Sequence, residues 1–320
     1  MKKIKDKKVI PPILKEIKNY KPIVMDYSTQ KSISYSQFST FITCPKKWSL
    51  MYKDGHYQSE QNINMTFGTA LHNTLQNYLT VMYNDSTAEA DRIDIDEYFE
   101  TELKKTYKEN LISNKEKHFS TPDELGEFCD DGLMILNFIK KRKGEYFSKR
   151  GWYLIGCEVP ILIPPYERFT NVIFKGYIDL VLYNENTDKF VIYDIKTSTA
   201  GWKDYQKKDE TKIAQILLYK YFFSKQFNIP IENIDVEFFI LKRKLPENNE
   251  FFLKPIQQFV PASGKSKVGQ AVKMIENFIE EVYDEKGLKN KQYEAKPSKY
   301  GCMYCPFKNN KELCDKAISS

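Results

Sequence analysis

The sequence predicts an α/β fold: a mixed central sheet flanked by helices, with a mainly helical N-terminal region and a cysteine-bearing C-terminal tail. Three observations carry this. Helix-spaced apolar residues fill 31–150, three short Val-, Ile-, Tyr- and Phe-rich segments follow between 152 and 197, and helix-like and strand-like segments then succeed one another. With 320 residues and 41% hydrophobic composition, the chain can bury a core without a disulfide framework.

Residues 1–30 are Lys-rich and contain Pro11, Pro12 and Pro22, which predicts a poorly ordered basic arm. Organisation is expected from Ser34, where Phe38, Phe41, Ile42, Trp48 and Met51 recur at helical spacings. Pro45, just after Cys44, suits the first position of a second helix. Over 66–83, Phe67, Leu71, Leu75, Tyr78, Leu79 and Met82 mark an amphipathic helix that contains His72. Further helices are expected over 94–107 and 126–143. The texture changes at Gly151: 152–163, 171–183 and 189–197 read as strands separated by the turn-like PPYERFT and NENTD. The short link between the second and third predicts an antiparallel hairpin. A helix over 209–227, strands over 234–244 and 251–260, and a helix over 267–287 lead to the tail. The expected organisation is an arm (1–30), a helical region with Cys44 and His72 (31–150), an α/β core (151–290) and a cysteine tail (291–320), together one compact domain.

The 49 Lys and Arg against 43 Asp and Glu leave a net charge of only +6. Two locally basic runs, 140–150 and 240–244, together with 22 Tyr and 21 Phe, permit binding of a nucleic acid; solvated helix ends account for the runs equally well. The N-terminal MKKIKDKKVI is followed by PPILKEIKNY, without the apolar stretch of a secretory signal, and no run of 18 apolar residues exists to span a membrane. A reducing cytoplasm is therefore expected, where clustered cysteines hold metal more often than they form disulfides. Cys44 and the distant set Cys302, Cys305 and Cys314 would, if they share a centre, join the two ends of the chain; Cys129 and Cys157 receive no role. Four thiolates suit zinc or an iron-sulfur cluster, and spacing alone does not choose. PASGKSK (261–267) imitates the end of a P-loop, but Phe259 stands where that motif needs glycine.

The chemistry is expected in the strand pair. Asp179 ends GYID on one strand, while Asp194 and Lys196 flank Ile195 on the next. Alternation puts Asp194 and Lys196 on one face and Ile195 on the other. Two carboxylates and an ammonium then converge, a set of hard ligands for Mg²⁺ or Mn²⁺, which assist attack of water on phosphate esters. An Asp-x-Lys triplet alone is by default a surface ion pair. Here it lies in an apolar strand, where polar groups need partners, and GYID supplies one. Gln215 and Tyr219, four residues apart, share a helix face that can turn toward the sheet. For His72 the ordinary reading is a half-buried, hydrogen-bonded histidine, with a ligand role as the alternative.

Six segments in order, SYSQFSTFITCPKKW (34–48), GTALH (68–72), GYID (176–179), DIKT (194–197), QILLY (215–219) and CMYCPFKNNKELC (302–314), make the chain resemble the RecB-like nucleases of the PD-(D/E)XK superfamily. Specifically, it resembles their iron-sulfur branch, which includes the AddB nuclease domain and the single-domain nucleases of CRISPR adaptation. The resemblance implies a restriction-endonuclease-like core. It implies His72, Asp179, Asp194 and the Ile195 carbonyl as ligands of Mg²⁺ or Mn²⁺, with Lys196 as the catalytic lysine. Gln215 and Tyr219 would support the site and contact DNA, and Glu158 matches a frequent acidic position. Cys44, Cys302, Cys305 and Cys314 would ligate a [4Fe-4S] cluster, with Zn²⁺ as the alternative. Asp194 stands where many relatives carry Glu, and the superfamily accepts either. The implied activity is a DNA exonuclease acting on single strands or ends in recombination, repair or DNA processing. The alternatives are a structure-dependent endonuclease and, in another class, a non-catalytic DNA-binding subunit. Any helicase or recombinase partner would be a separate protein.

Overall fold

The computed structural model describes residues 11–56, 61–165, 168, 171–246 and 253–318. The elements run α1 (Pro12–Asn19), β1 (Lys31–Ile33), α2 (Tyr35–Thr43), α3 (Pro45–Trp48), α4 (Ile63–Asn84), α5 (Thr87–Asp91), α6 (Ile95–Ser113), α7 (Pro122–Tyr146), β2 (Trp152–Ile163), β3 (Val172–Asn184), β4 (Lys189–Ser198), α8 (Asp204–Lys207), α9 (Glu210–Phe227), β5 (Ile234–Lys242), β6 (Ile256–Phe259), α10 (Lys265–Val282), the two-residue strands β7 (Tyr283–Asp284) and β8 (Gly287–Leu288), and α11 (Lys299–Met303). No described helix is long and apolar enough to cross a membrane.

The mixed sheet expected from the sequence is present, with helices on both faces. β2 pairs antiparallel along most of β3, and the β3–β4 hairpin is antiparallel. β4 then runs parallel to β5 and β5 antiparallel to β6, because the chain between β4 and β5 is long enough to carry α9 back across the sheet. Strand alternation divides the core in two. Phe190, Ile192, Val236, Phe238 and Ile240 face a layer made by α9, α10 and α2; Tyr193, Ile195, Phe239 and Leu241 face α4, α6 and α7. Of the N-terminal helices, α4, α6 and α7 thus form one layer of the α/β fold, while α1 and α2 join the other. Each fully buried Phe, such as Phe222 or Phe223 of α9, contributes about 2 to 3 kcal/mol of transfer free energy.

Caps account for most helix boundaries. Asn62 accepts from the Met65 amide at the start of α4, and Thr121 accepts from Glu124 with Pro122 at the first helical position of α7. That cap moves the start of α7 upstream of the expected 126. Asp209 caps α9, which ends at Asn228 in the left-handed region (φ 50°). The helix expected over 267–287 stops at Val282, where the chain enters a hairpin whose turn places Gly287 at φ +119°.

Three expectations need correction. The arm expected over 1–30 contains α1, whose Leu14 and Ile17 are buried in the core beside β2; residues 1–10 lie outside the described residues. β1, which pairs parallel with the start of β3, precedes the expected beginning of order at Ser34; three residues carry too little periodicity to read. The strand expected over 251–260 is confined to Ile256–Phe259. Residues 251–252 lie outside the described set, and Pro255 offers the ladder only its carbonyl, to the Lys242 amide at 2.7 Å.

Candidate active site

The sheet is interrupted beside Asp179. On the edge opposite β2, β3 pairs with β1 through Phe174 and with β4 only from Leu180 onward. Among the described residues, 175–179 therefore have no ladder partner on that edge. β3 and β4 splay apart there, and the Asp179 side chain fills the opening: its Oδ2 accepts from the Ile195 amide at 2.6 Å. A carboxylate thus replaces the missing strand neighbour and fixes Asp179 against Asp194 and Lys196.

Ile195 turns into the α4 core, while Asp194 lies on the other face and is 1% exposed. Lys196 Nζ donates to Asp194 Oδ1 at 3.0 Å. The ammonium also lies 2.8 Å from Oδ2, yet outside hydrogen-bond geometry, so the buried Oδ2 has no hydrogen bond among the described residues. The Lys196 ammonium, close to both oxygens, is thus what compensates this buried carboxylate.

α4 closes the site from the opposite layer. His72 is held by the backbone of Ile195. Gln76, one turn further on, donates to the Asp179 carbonyl at 2.9 Å and to Glu158 Oε1 at 2.8 Å. Glu158 occurs where β2 departs from regular pairing, at φ +51°, and the register on either side sets it opposite Asp179. Like charges across a strand pair repel, and a left-handed Glu inside a strand is strained. Glu158, Asp179 and Asp194 therefore stand against the single ammonium of Lys196.

Two glycines explain how close the surrounding motifs approach. A Cβ on Gly176 would lie 2.8 Å from the Tyr219 ring, and one on Gly68 would lie 3.3 Å from Thr197 Oγ1. The glycine of GYID thus admits Tyr219 from α9, and that of GTALH seats α4 on the end of DIKT. Gln215 hydrogen-bonds Tyr219, as their shared helix face predicts.

Burial governs the electrostatics. It pushes the Asp179 and Asp194 carboxyls up to about 6 despite the pull of Lys196. It also lowers His72 to about 4, with Lys196 adding to the effect, so this imidazole is neutral at physiological pH. Burial alone would lower Lys196, but Asp194 and Asp179 outweigh it and hold the ammonium above the usual lysine range. Burial raises the Tyr219 hydroxyl, helped by the nearby carboxylates.

The four cysteines line a separate cavity, together with Leu50 and Phe307. Cys44 is at once the end of α2 and the start of α3, and its Sγ accepts from the Lys296 amide at 3.4 Å. Burial raises the Cys305 thiol, with Cys44 and Cys314 near enough to add to the rise. Among the described residues, no three His, Cys, Asp or Glu side chains converge as tightly as one bound ion requires, in either place. The donors nevertheless fit. The sheet site offers the hard oxygens of Asp179 and Asp194 side by side, and the corner offers four soft sulfurs around one cavity. Cys129 and Cys157 do not line it.

The structure therefore brings His72, Asp179, Asp194, Ile195, Lys196, Glu158, Gln215 and Tyr219 to one place and the four cysteines to another. Gln76 was not singled out by the sequence. Its signal was available: it follows His72 by four residues on the same helix face. A model of the PD-(D/E)XK nuclease superfamily matches residues 32–310. No curated protein matches the sequence. The solved structure of SSO0001 aligns over 96% of this chain and 96% of its own at 13% identity, with a TM-score of 0.35.

Proposed function

The chain belongs to the PD-(D/E)XK nuclease superfamily, and from that premise we propose that it is a Mg²⁺- or Mn²⁺-dependent deoxyribonuclease of the RecB-like, iron-sulfur branch. It acts as an exonuclease on single strands or DNA ends. The observation that carries the reading is the buried Asp194 carboxyl beside Asp179, with Glu158 opposite Asp179 and Lys196 paired to Asp194 where the strands part. Clustered carboxylates in excess of the Lys196 ammonium are what a divalent cation would neutralise.

Asp179, Asp194, neutral His72 and the Ile195 carbonyl would hold the cation. Bound there, it would offset charge on the phosphoryl oxygens and make water more acidic. The chain supplies the rest. In hydrolysis a water oxygen bonds to phosphorus and gives up its proton to solvent, while the P–O bond to the leaving nucleotide breaks and the departing oxygen takes a proton from solvent. Lys196 stays an ammonium at neutral pH, so it orients the water and stabilises charge on the phosphoryl group rather than taking a proton. Gln76 holds the Glu158 carboxylate and the Asp179 backbone carbonyl, and Tyr219 with Gln215 walls the cleft.

Cys44, Cys302, Cys305 and Cys314 would ligate a [4Fe-4S] cluster that closes the N-terminal helices onto the tail. The ordered resemblance of six segments supports iron-sulfur over Zn²⁺. A brown protein with iron and sulfide is expected; a colourless anaerobic preparation with one stoichiometric zinc contradicts it.

The activity is tested by incubating end-labelled linear DNA and covalently closed circles with Mn²⁺. Linear DNA is shortened and closed circles survive if the exonuclease reading holds. Cutting of circles replaces it with an endonuclease, and cleavage unaffected by Lys196→Ala removes the site altogether.

A further inference from the structure

A cleft of about 390 Å³ opens where β3 lacks a neighbour, with Ser34, Lys175 and Tyr177 on its outer side and Gln215 and Tyr219 on the wall it shares with the candidate active site. Lys175 and Tyr177 occupy alternate positions of β3, so they follow one another along one face about 7 Å apart, two residues before Asp179. Tyr177 is 46% exposed. Among the described residues its ring has no aromatic or hydrogen-bonding partner, and Lys175 has no ion pair. A large ring half exposed at the mouth of a cleft, with no aromatic or hydrogen-bonding partner, has a face free to take a ligand, and Tyr27, Tyr205, Tyr300 and Tyr304, also exposed, do not line this cleft.

We infer that this gap is a nucleotide subsite: the base next to the scissile phosphate stacks on Tyr177 while Lys175 meets the phosphate beyond it. The inference rests on the nuclease reading and specifies its substrate. A base inside a duplex is already stacked on both faces, so only an unpaired strand or a frayed end can lay one on Tyr177. The edge of β3 that β1 and β4 leave open gives the backbone of the same nucleotide room to lie along the strand. Gly176 keeps the floor low, because any side chain there would strike Tyr219.

The test is anisotropy of a 5′-labelled single-stranded oligonucleotide with Mn²⁺, in a Lys196→Ala background that prevents cutting. Tyr177→Ala is expected to weaken binding about tenfold, the scale of one base–aromatic stack, and Tyr177→Phe to leave it within about twofold. A single abasic position in the oligonucleotide should cause the same loss with Tyr177 intact and no further loss in Tyr177→Ala. Binding that is unchanged by Tyr177→Ala, or abasic losses that add to it, overturns the subsite. If that happens while Lys196→Ala still abolishes cleavage, the nuclease reading survives without it. If the wild-type protein neither binds nor cuts DNA, both fall.

Discussion

The strand site and the cysteine corner are built by opposite means. At the strand site the sheet fixes the groups: Asp179 is tied to the Ile195 amide, Lys196 to Asp194, and Gln76 to Asp179 and Glu158. The corner has no sheet beneath its sulfurs. Short-range turn bonds, Cys305 N–H to the Cys302 carbonyl and Cys314 N–H to that of Asn310, shape it, and an aromatic cluster holds the tail. In that cluster Tyr293 packs on Trp48 and Phe41 with ring centroids 5.4 and 5.8 Å apart, and Phe278 of α10 joins them. The difference teaches that charge can be strained where a rigid frame bears the cost, while four thiols can sit on irregular chain held by an aromatic cluster, with the proposed cluster adding rigidity if bound. Damage to one region should therefore leave the other's signature intact.

The largest effect should come from Asp194→Asn, which removes a charge but keeps the shape. Mn²⁺-dependent cleavage is expected to fall about a thousandfold or more in single-turnover assays, with iron content and melting temperature unchanged or improved. Cys302→Ser should do the converse: loss of visible absorbance and a fall in melting temperature of about 10 °C, measured by calorimetry. An equal stability loss from both substitutions would erase the distinction.

The metal-free protein should reveal the buried carboxylates through pH. Asp194 titrates near 3.8 when unfolded and is raised to about 6 in the fold. The folded state therefore holds the proton that the unfolded state releases. Its contribution is fully present below pH 3.8 and lost as pH rises through about 6. Relative to Asp194→Asn, the wild type should lose about 3 kcal/mol of stability across that window, read from urea titrations in EDTA. His72, depressed to about 4, acts in the other direction: the unfolded imidazole takes up a proton below 6.5 that the fold refuses. His72→Leu should accordingly steepen the decline of stability with rising pH. The smallest effect is Gly176→Ala, whose methyl meets the Tyr219 ring. It should cost about 1 to 2 kcal/mol and slow cleavage severalfold, with no change at the cysteine corner.

Much of this was legible in the sequence because its causes are local. Alternation along VIYDIKT puts Asp194 and Lys196 together, helical spacing pairs Gln215 with Tyr219, and Pro45 after Cys44 starts a helix. What stayed hidden depends on the third dimension. The gap in the sheet arises because β1 and β4 divide one edge of β3, and β1 is too short to be read. Gln76 acquires its role only once α4 lies on β2 and β3. The left-handed backbone at Glu158 cannot be read from residue types, since nothing about Glu favours it. α1 was missed because a Lys-rich, Pro-flanked segment looks solvated until Leu14 and Ile17 find the core.

The central claim, that the splayed strands carry the chemistry and the cysteines hold the chain, is tested most directly by one paired measurement. Asp194→Asn is purified anaerobically beside the wild type, and each sample is assayed for iron content and for Mn²⁺-dependent cleavage of an end-labelled single strand. Equal iron with cleavage lost in the variant is the predicted result. Equal cleavage at equal iron would contradict the account.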